Sequence, residues 1–438
     1  MLTSGIDALL QPLGPFERPP VIAAAISGGS DSVALGLLLA DWIAVRGGLL
    51  HVLSVDHGLR VEARAECDSV ARRFATLPGC SAQVLEWRGA KPATGVQQAA
   101  RAARYRLMTA WCRWHGVLHL ALGHTADDQA ETFAMRRAEG SSPFGLAAMP
   151  AVSQRDGVRL LRPLLGVTRA ALRDWLAARG ESWIEDPSNS AAQFERTRWR
   201  ETLAASGEGP ALAAQAAQFG QARDEQDRAV AQVFAAAGRL HDEGYLTLAL
   251  DAWVQAGPDM RVAILRRVLL AIGGHDYPPA PDQLERLAVA DPAAMKATLA
   301  GCVLAVRQGR LTVCREAGDI REDCPVQPGW AGTWDHRFAL TVSTGLAPAG
   351  GLVVSALGEE GQRQAVDRFG VRLKRHPVPE PGRAALPALW RDGNLLSQPH
   401  LGVGEGLAVR LSPRHSVTTC GFTVALRRPH TMYSSFPG

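Results

Sequence analysis

The sequence predicts an α/β protein that begins with a doubly wound parallel sheet and continues into a helical middle domain and a small α+β C-terminal domain. Apolar runs suited to strands alternate with helical patterns about five times between residues 20 and 165, as in a parallel sheet covered by helices on both faces. After residue 200 the composition shifts to Ala, Gln and Arg at helical spacing, and from about residue 325 short strands with many Gly and Pro follow.

The N-terminal strands and helices can be assigned in chain order. The predicted strands are VIAAAI from residue 21, LLHVLSV at 49–55, AQVLEW at 82–87, VLHLALG at 117–123 and VRLLRPLL at 158–165. The predicted helices begin near Asp31, near Val61 with Ala65, Val70 and Phe74 facing inward, near Val96, near Asp127 and at Thr168. Ligands of such sheets bind beyond the carboxyl ends of the strands.

The later part of the chain is divided by composition. A helix is predicted for MRVAILRRVLLAIGG at 260–274, and two strands for GCVLAVRQGRLTVCRE at 301–316. We expect three domains: an α/β domain at 1–200, a mostly helical domain at 201–325, and a small basic domain at 326–438.

Composition and length exclude several classes of protein. The 438 residues are enough for two or three domains, and 47% hydrophobic with 21% charged residues is typical of globular proteins. The seven Cys residues show no paired spacing, which favours reduced thiols over a disulfide framework. No apolar run reaches the length of a membrane span, and no basic leader precedes one. We therefore expect a cytoplasmic protein that does not interact with membranes.

Basic charge is concentrated at the C-terminus. The net charge is +4, but residues 361–438 contain 11 Lys or Arg against 4 Asp or Glu. Only three basic residues are lysines, so nearly all the positive charge belongs to guanidinium groups, which bind phosphates bidentately. An Arg-rich genome would give the same composition. A basic C-terminal region is consistent with a polyanionic partner.

Six small polar residues follow the first strand. They are Ser27, Gly28, Gly29, Ser30, Asp31 and Ser32. A strand that enters a Gly-rich turn and leaves as a helix directs backbone N–H groups at one place, which binds phosphate. Asp31 can help to hold Mg²⁺ against the phosphates. The alternative is a polar turn that caps the helix without a ligand.

This loop resembles the signature Ser-Gly-Gly-x-Asp-Ser of the ATP-pyrophosphatase, or PP-loop, superfamily and matches it at every fixed position. The resemblance implies an adenine nucleotide alpha-hydrolase-like fold. It also implies cleavage of ATP between the α and β phosphates, with adenylation of a substrate oxygen.

Three further segments resemble the bacterial tRNA(Ile)-lysidine synthetases. SVDHGLR at 54–60 supplies Asp56 and His57, and AARAARYRLM at 99–108 supplies Arg101 and Arg104. The third segment, GHTADDQAET at 123–132, supplies His124, Asp127, Asp128, Gln129, Glu131 and Thr132. On a helix, Asp127 and Asp128 share a face with Glu131, where they can hold Mg²⁺ or take a proton. Acidic capping of the helix N-terminus is the alternative.

Other segments of the chain match the family pattern at some positions and depart from it at others. RPLLGVTRAAL at 162–172 and WIEDPSN at 183–189 match the family well, and RAALPALWRDGNLLSQPHLGV at 383–403 resembles its terminal tRNA-binding domain. The chain departs from the family pattern at Gln97, where an acidic residue is usual, at Glu139 and at Ser142. The three arginines that follow the WIEDPSN motif are expected either to meet tRNA phosphates or to form a solvated face; they are Arg196, Arg198 and Arg200.

The resemblance implies that free lysine is ligated to C2 of the wobble cytidine of tRNA(Ile) with a CAU anticodon, through an adenylated cytidine, with release of AMP and pyrophosphate. The implied cofactors are ATP and Mg²⁺, and the implied partners are this tRNA and free lysine, with a homodimer left open. The resemblance also implies that residues 1–200 form the PP-loop ATP-binding catalytic domain, 201–325 a tRNA or substrate domain, and 326–438 a tRNA-binding domain. The implied catalytic residues are Asp31, Arg104, Asp127, Asp128 and Glu131. Nucleotide binding is assigned to residues 27–32 and to Asp56, His57, Arg101 and His124, and Mg²⁺ to Asp31 and Asp128.

Three other functions remain open at this point. A tRNA 2-thiolation enzyme of the same superfamily would normally use a Cys pair or cluster, and no such spacing is present. An ammonia-dependent ligase for a small acid has no evident use for the long C-terminal region. A non-catalytic RNA-binding relative would not need the intact carboxylates.

Overall fold

The computed structural model describes residues 2–89, 91–185, 195–275, 277–292, 294–321, 323–347 and 350–417. Among these residues, those up to Glu225 form one compact unit and those from Gln226 onward form a second. The end of the WIEDPSN motif, from Asp186 to Asn189, lies outside the described residues. The three-domain division stays a prediction.

The first unit is organised by one six-stranded sheet in the order β3-β2-β1-β4-β6-β5. Its strands are β1 (Val21–Ala25), β2 (Leu49–Asp56), β3 (Cys80–Glu86), β4 (His119–Leu122), β5 (Val152–Arg155) and β6 (Val158–Leu161). Neighbouring strands are parallel except β5 and β6. The predicted parallel sheet is confirmed, with one antiparallel edge strand that we did not predict. Asp156 and Gly157 join β5 to β6 with φ values of +51° and +79°, as a tight hairpin turn requires.

Helices cover both faces of this sheet, as predicted. The helices of this unit are α1 (Leu2–Leu10), α2 (Ser30–Ala44), α3 (Ala63–Ala75), α4 (Val96–Trp114), α5 (Ala126–Ala138), α6 (Pro143–Leu146), α7 (Arg169–Ala178), α8 (Glu195–Ser206) and the first part of α9 (Gly209–Ala237). Residues of α1, α2, α3 and α7 share one core, and α4 packs into another. The inner face of α3 differs from our prediction: Val70 and Phe74 are buried, but Ala65 is exposed and Cys67 is buried instead. Positions 67, 70 and 74 follow the helical period, whereas position 65 does not.

The order of the strands determines where the candidate site lies in the first unit. The chain runs outward from β1 through β2 to β3 in one direction, and from β4 to β6 in the other. The carboxyl ends of β1 and β4 therefore flank a crevice, which is where ligands bind in sheets of this kind. The loop after β1 and the start of α5 both lie at this edge.

The second unit contains a five-stranded antiparallel sheet in the order β7-β8-β11-β10-β9. Its strands are β7 (Gly238–Leu240), β8 (Leu246–Ala249), β9 (Lys296–Leu299), β10 (Cys302–Arg307) and β11 (Arg310–Arg315), with helices α10 (Leu250–Gln255), α11 (Pro258–Gly273) and α12 (Pro281–Ala288). The predicted helix and the predicted pair of strands are confirmed as α11 and the β10–β11 hairpin.

The end of the described chain adds two small sheets to this unit, β12-β15-β16-β17 and β13-β14-β18. The remaining elements are β12 (Cys324–Pro325), β13 (Ala331–Trp334), β14 (Phe338–Val342), β15 (Leu352–Ala356), β16 (Pro387–Arg391), β17 (Asn394–Ser397), β18 (Leu407–Leu411), α13 (Gly358–Phe369) and α14 (Glu380–Ala384). Asp335, 6% exposed, pairs with Arg315 of β11 at 3.2 Å and with Arg337 at 2.6 Å. This buried carboxylate links the small sheets to the larger one. No helix in the described part of the chain is long and apolar enough to cross a membrane.

Candidate active site

The loop between β1 and α2 presents an open helix N-terminus. Gly29 precedes α2 in an extended conformation, so the N–H groups of the first turn of α2 have no partners within the helix. The Ser32 hydroxyl fixes the loop, since it donates to the Gly29 carbonyl at 2.9 Å and accepts from the Ser27 N–H at 3.2 Å. Ser30 Oγ donates to Asp31 Oδ1 at 3.1 Å. An open helix N-terminus with this geometry is suited to binding a phosphate.

The two glycines of the loop have different roles. Gly28 has φ +94°, and a Cβ there would lie 2.7 Å from Ile184 Cδ1, whereas the nearest atom to a Cβ on Gly29 lies at 4.0 Å. The Gly28 carbonyl also accepts a hydrogen bond from the Ile184 N–H at 2.9 Å. Only Gly28 therefore needs to be glycine for the loop to adopt this conformation.

Gly28→Ala is expected to lower the free energy of unfolding by about 1–3 kcal/mol, because alanine is strained at this φ and crowds Ile184. Gly29→Ala is the matched control and is expected to change the free energy of unfolding by less than about 0.5 kcal/mol. Urea denaturation of both variants tests the difference. Equal losses would contradict the assignment.

Four carboxylates meet at the carboxyl edge of the sheet, and we call them the carboxylate cluster. They are Asp31, Asp127, Asp128 and Glu131. Arg169, the first residue of α7, contacts all of them: its Nε lies 3.0 Å from Asp31 Oδ2, its Nη2 3.6 Å from Asp128 Oδ1 and its Nη1 3.8 Å from Glu131 Oε1. Its backbone N–H donates to Asp127 Oδ2 at 2.7 Å. Burial alone would lower the pKa of Arg169, but Asp31 and Asp128 together raise it, so this guanidinium stays charged.

Asp128 both caps α5 and faces the site. Its Oδ2 accepts the Thr125 N–H at 2.8 Å, while the Thr125 hydroxyl caps the Asp128 N–H. The capping alternative is therefore also correct, but it uses only one carboxylate oxygen. Burial alone would raise the pKa of Asp128, but the positive charge of Arg169 and the hydrogen bond from the Thr125 N–H contribute to lowering it below its usual value. The group is an anion with Oδ1 directed to Arg169.

Glu131 is the most deeply buried member of the cluster, at 1% exposure. Arg200 of α8 donates from Nε to Glu131 Oε1 at 2.8 Å, and Arg196 Nε lies 3.4 Å from Oε2. Two of the arginines that we expected to meet tRNA phosphates or solvent thus neutralise a buried carboxylate. Arg198 is exposed.

The other side of the crevice carries the predicted nucleotide-binding residues of β2, α4 and β4. His57 follows Asp56 at the end of β2, and its ring lies edge-on to Trp87 at 6.2 Å. Burial, and then Arg104, lowers the pKa of His57. Nε of Arg104 and Nδ1 of both His57 and His124 are buried without hydrogen-bond partners among the described residues. Because buried polar atoms are normally paired, these three are candidates to bind a ligand.

Arg101 and Arg104 both lie against the ring of Tyr105, at 5.4 and 5.6 Å. Arg101 is exposed and Arg104 is half-buried. Burial, followed by Arg162, lowers the pKa of His124 to about 3, so this side of the crevice combines neutral imidazoles with guanidinium groups. Such a surface suits an anionic or polar ligand.

His124→Gln is expected to reduce the loss of stability in acid. An unfolded histidine binds a proton near its ordinary pKa of 6.5, whereas folded His124 binds one only near pH 3. The free energy of unfolding therefore falls as the pH drops below about 6.5, by up to about 1.4 kcal/mol per pH unit from this residue. Denaturation between about pH 7 and pH 5 compares the two slopes. Identical slopes would contradict the burial of a neutral His124.

The positions of the carboxylate oxygens show whether the carboxylate cluster could hold Mg²⁺. Within the part of the chain that the structure describes, no group of three or more His, Cys, Asp or Glu side chains has metal-site geometry. Asp31 and Asp128 do place carboxylate oxygens on one guanidinium, at 3.0 and 3.6 Å. Mg²⁺ usually takes one or two protein carboxylates and completes its shell with phosphate and water. The donor set fits a metal that arrives with a nucleotide.

Arg169 and Gln129 shape the site, yet our sequence reasoning gave neither of them a role. The Gln129 amide donates to the Met149 carbonyl and accepts the Met149 N–H, both at 2.9 Å, which fixes the chain before β5 to α5. The sequence position of Arg169, at the start of a helix, could have indicated that it lies near an anion. A cation in the first turn of a helix opposes the helix dipole, so it implies a nearby anion.

The fold and site define an ATP-binding protein of the PP-loop class, and residues 2–206 match the family model of the PP-loop domain. The chain is 35% identical to the tRNA(Ile)-lysidine synthase of Ruegeria pomeroyi, over 94% of this chain and 96% of that protein. It is 33% identical to the tRNA(Ile)-lysidine synthase of Brucella anthropi, over 92% and 90% of the two chains. The chain belongs to the tRNA(Ile)-lysidine synthase family.

Among solved structures, the U34-tRNA thiolase NcsA of Methanococcus maripaludis, with its [4Fe-4S] cluster, superimposes with a TM-score of 0.42 at 14% identity. The match covers 50% of this chain and 77% of the thiolase. The NH3-dependent NAD synthetase of Campylobacter jejuni gives a TM-score of 0.30 over 50% of this chain and 92% of its own, at 12% identity.

Proposed function

We propose that this protein uses ATP to ligate free lysine to C2 of the wobble cytidine of tRNA(Ile) with a CAU anticodon. The observation that carries the proposal is the extent of the similarity, which reaches 94% of the chain and therefore includes the second unit as well as the PP-loop domain. An ATP-dependent reaction on a tRNA also supports the expected cytoplasmic location.

The C2 oxygen of cytosine is a poor leaving group, and the reaction must first activate it. Lysine cannot displace the C2 oxygen of cytosine as oxide, so that oxygen first attacks the α-phosphate of ATP and pyrophosphate leaves. The lysine amine then attacks C2 and expels AMP. No covalent bond to the protein forms, and catalysis rests on positioning and charge stabilisation.

Each part of the site has a proposed task. The N–H groups and hydroxyls of residues 27–32 hold the phosphates that become pyrophosphate. His57, Arg101, Arg104 and His124 bind the nucleotide from the opposite side of the crevice, next to Asp56. Mg²⁺, held by Asp31 and Asp128, would neutralise charge on the phosphates.

Asp127 is the proposed proton acceptor. Its Oδ2 accepts the Arg169 N–H at 2.7 Å, which fixes the carboxylate while a carboxylate still has further lone pairs. Free lysine enters with a protonated amine, which must lose a proton before the nitrogen can attack. Glu131 is less suited to this task, because Arg196 and Arg200 already neutralise it.

The test of this function is release of AMP and pyrophosphate from labelled ATP, with and without lysine and an unmodified tRNA(Ile) bearing CAU. We expect full turnover only with both, and a wobble cytidine heavier by one lysine less water. Cleavage that depends on other tRNAs or on a sulfur donor would overturn the substrate assignment while leaving the PP-loop assignment intact.

The thiols of the first unit do not favour the thiolation alternative. Burial raises the pKa of Cys67 to about 11 and of Cys112 to about 12, and burial also raises that of Cys80. Protonated thiols are poor sulfur nucleophiles. The combined variant Cys67→Ala, Cys80→Ser, Cys112→Ala is expected to keep at least about half of the activity, because none of the three thiols enters the reaction. Complete loss of activity in a folded variant would favour thiolation.

A further inference from the structure

Arg169 occupies the position among the carboxylates that a metal ion would need. Its three guanidinium nitrogens each face a different carboxylate, and only the contact with Asp31, at 3.0 Å, has hydrogen-bond length. The contacts with Asp128 and Glu131, at 3.6 and 3.8 Å, are looser. The side chain is 17% exposed, so it fills the cluster and shields it from water.

Mg²⁺ and the guanidinium therefore compete for the same oxygens. Mg²⁺ binds carboxylate oxygens at about 2.1 Å and in near-octahedral geometry, so a metal on Asp31 and Asp128 would lie close to the guanidinium, whose Nε is 3.0 Å from Asp31 Oδ2 and whose Nη2 is 3.6 Å from Asp128 Oδ1. Two cations held against one carboxylate also repel each other. Binding of the metal at Asp31 and Asp128 therefore favours departure of the Arg169 side chain from them.

The backbone of Arg169 is held independently of its side chain. Its N–H donates to Asp127 at 2.7 Å, and the Ala171 N–H donates to Thr168 Oγ1 at 3.4 Å, which caps the first turn of α7. The side chain can therefore change partners while the helix stays in place. Asp31 belongs to the phosphate-binding loop, so ATP phosphates bound there are new anionic partners within reach of the displaced guanidinium.

We propose that Arg169 is a built-in counter-ion that exchanges with the metal: it neutralises the carboxylate cluster in the empty protein and moves to the polyphosphate when Mg²⁺ and ATP bind together. This inference rests on the metal and ATP part of the proposed function and is independent of lysine and tRNA. The exchange makes the free protein a poor metal site and couples metal binding to nucleotide binding.

The experiment measures Mn²⁺ binding by electron paramagnetic resonance, with no tRNA or lysine present. Arg169→Met removes the competing charge and is expected to tighten Mn²⁺ binding to the nucleotide-free protein by about tenfold or more. Addition of a non-hydrolysable ATP analogue is expected to tighten Mn²⁺ binding strongly in the wild type and much less in the variant. Arg179→Met is the matched control, because Arg179 follows the same helix and pairs with Asp41 outside the cluster at 2.8 Å.

Arg169→Lys keeps the charge but offers one donor group in place of three, so it is expected to give an intermediate Mn²⁺ affinity, and it serves if Arg169→Met does not fold. Unchanged or weaker Mn²⁺ binding in both folded variants would overturn the exchange. If neither the wild type nor the variants bind Mn²⁺ even with the analogue, the metal part of the proposed function fails and the exchange fails with it. Loss of lysine ligation alone would leave the exchange intact.

Discussion

Asp31→Ala is expected to abolish ATP cleavage, with a fall in rate of about 10³-fold. The substitution removes one of the two proposed metal ligands and the closest carboxylate partner of Arg169, at 3.0 Å. It also removes the acceptor that holds the Ser30 hydroxyl in the phosphate-binding loop. The measurement is release of AMP and pyrophosphate in the presence of lysine and tRNA(Ile), and binding of the same tRNA is expected to change little.

Asp41→Ala is the control for this result. Asp41 lies on the same helix, α2, and pairs with Arg179 on the surface rather than with the cluster. The Asp41→Ala variant is expected to cleave ATP at close to the wild-type rate. If Asp31→Ala still incorporated lysine, the role given to the loop would be wrong, and a binding protein that does not use this site for chemistry would become the better explanation.

Glu131→Ala is expected to lower the free energy of unfolding by about 3 kcal/mol, because it leaves buried positive charge without a partner. Glu131 is 1% exposed and lies between Arg169, Arg196 and Arg200. The two arginines of α8 are more than a third exposed, so water offsets part of their loss, and the estimate is at the low end for buried pairs. Chemical denaturation of the full chain measures the change.

Two further variants separate charge from packing. Glu131→Gln keeps the shape and the acceptor oxygen, so it is expected to lose less stability than Glu131→Ala. Glu139→Ala, at the exposed end of the same helix, is expected to stay within about 0.5 kcal/mol of the wild type. A loss for Glu131→Ala no larger than that for Glu139→Ala would show that the arginines do not depend on Glu131.

The strands, most helices and the turn between β1 and α2 could be predicted because their signals are local. The apolar runs give the strands, and Ser27 to Ser32 give the turn. The antiparallel strand β5 was missed although Asp156-Gly157 is a strong hairpin signal, because the short segment before it is not apolar throughout. The prediction that Ala65 faces inward was wrong, because a single alanine does not determine which face of a helix is buried.

The connections across the site could not be predicted in the same way. Asp31 and Arg169 are separated by 138 residues along the chain, and only the strand order brings their two helix starts to one edge. The partners of Glu131 depend on how α8 packs against α5, through Phe133, Leu203 and neighbouring apolar residues. An arginine in a sequence is equally compatible with solvent, RNA or a buried carboxylate, and packing decides between them.

The Asp335 ion network determines where this chain can be cut for biochemical work. A fragment that ended at residue 325 would leave Arg315, 5% exposed, without Asp335. A fragment that began at residue 326 would strip Arg337 of the Gly244 carbonyl that accepts its hydrogen bond at 3.0 Å. Either fragment would be partly unfolded at the cut and prone to nonspecific association. Basic residues exposed there would bind RNA nonspecifically and could be mistaken for a true RNA-binding site. Residues 226–417 should therefore be kept together in any fragment that is used to test whether the second unit binds RNA.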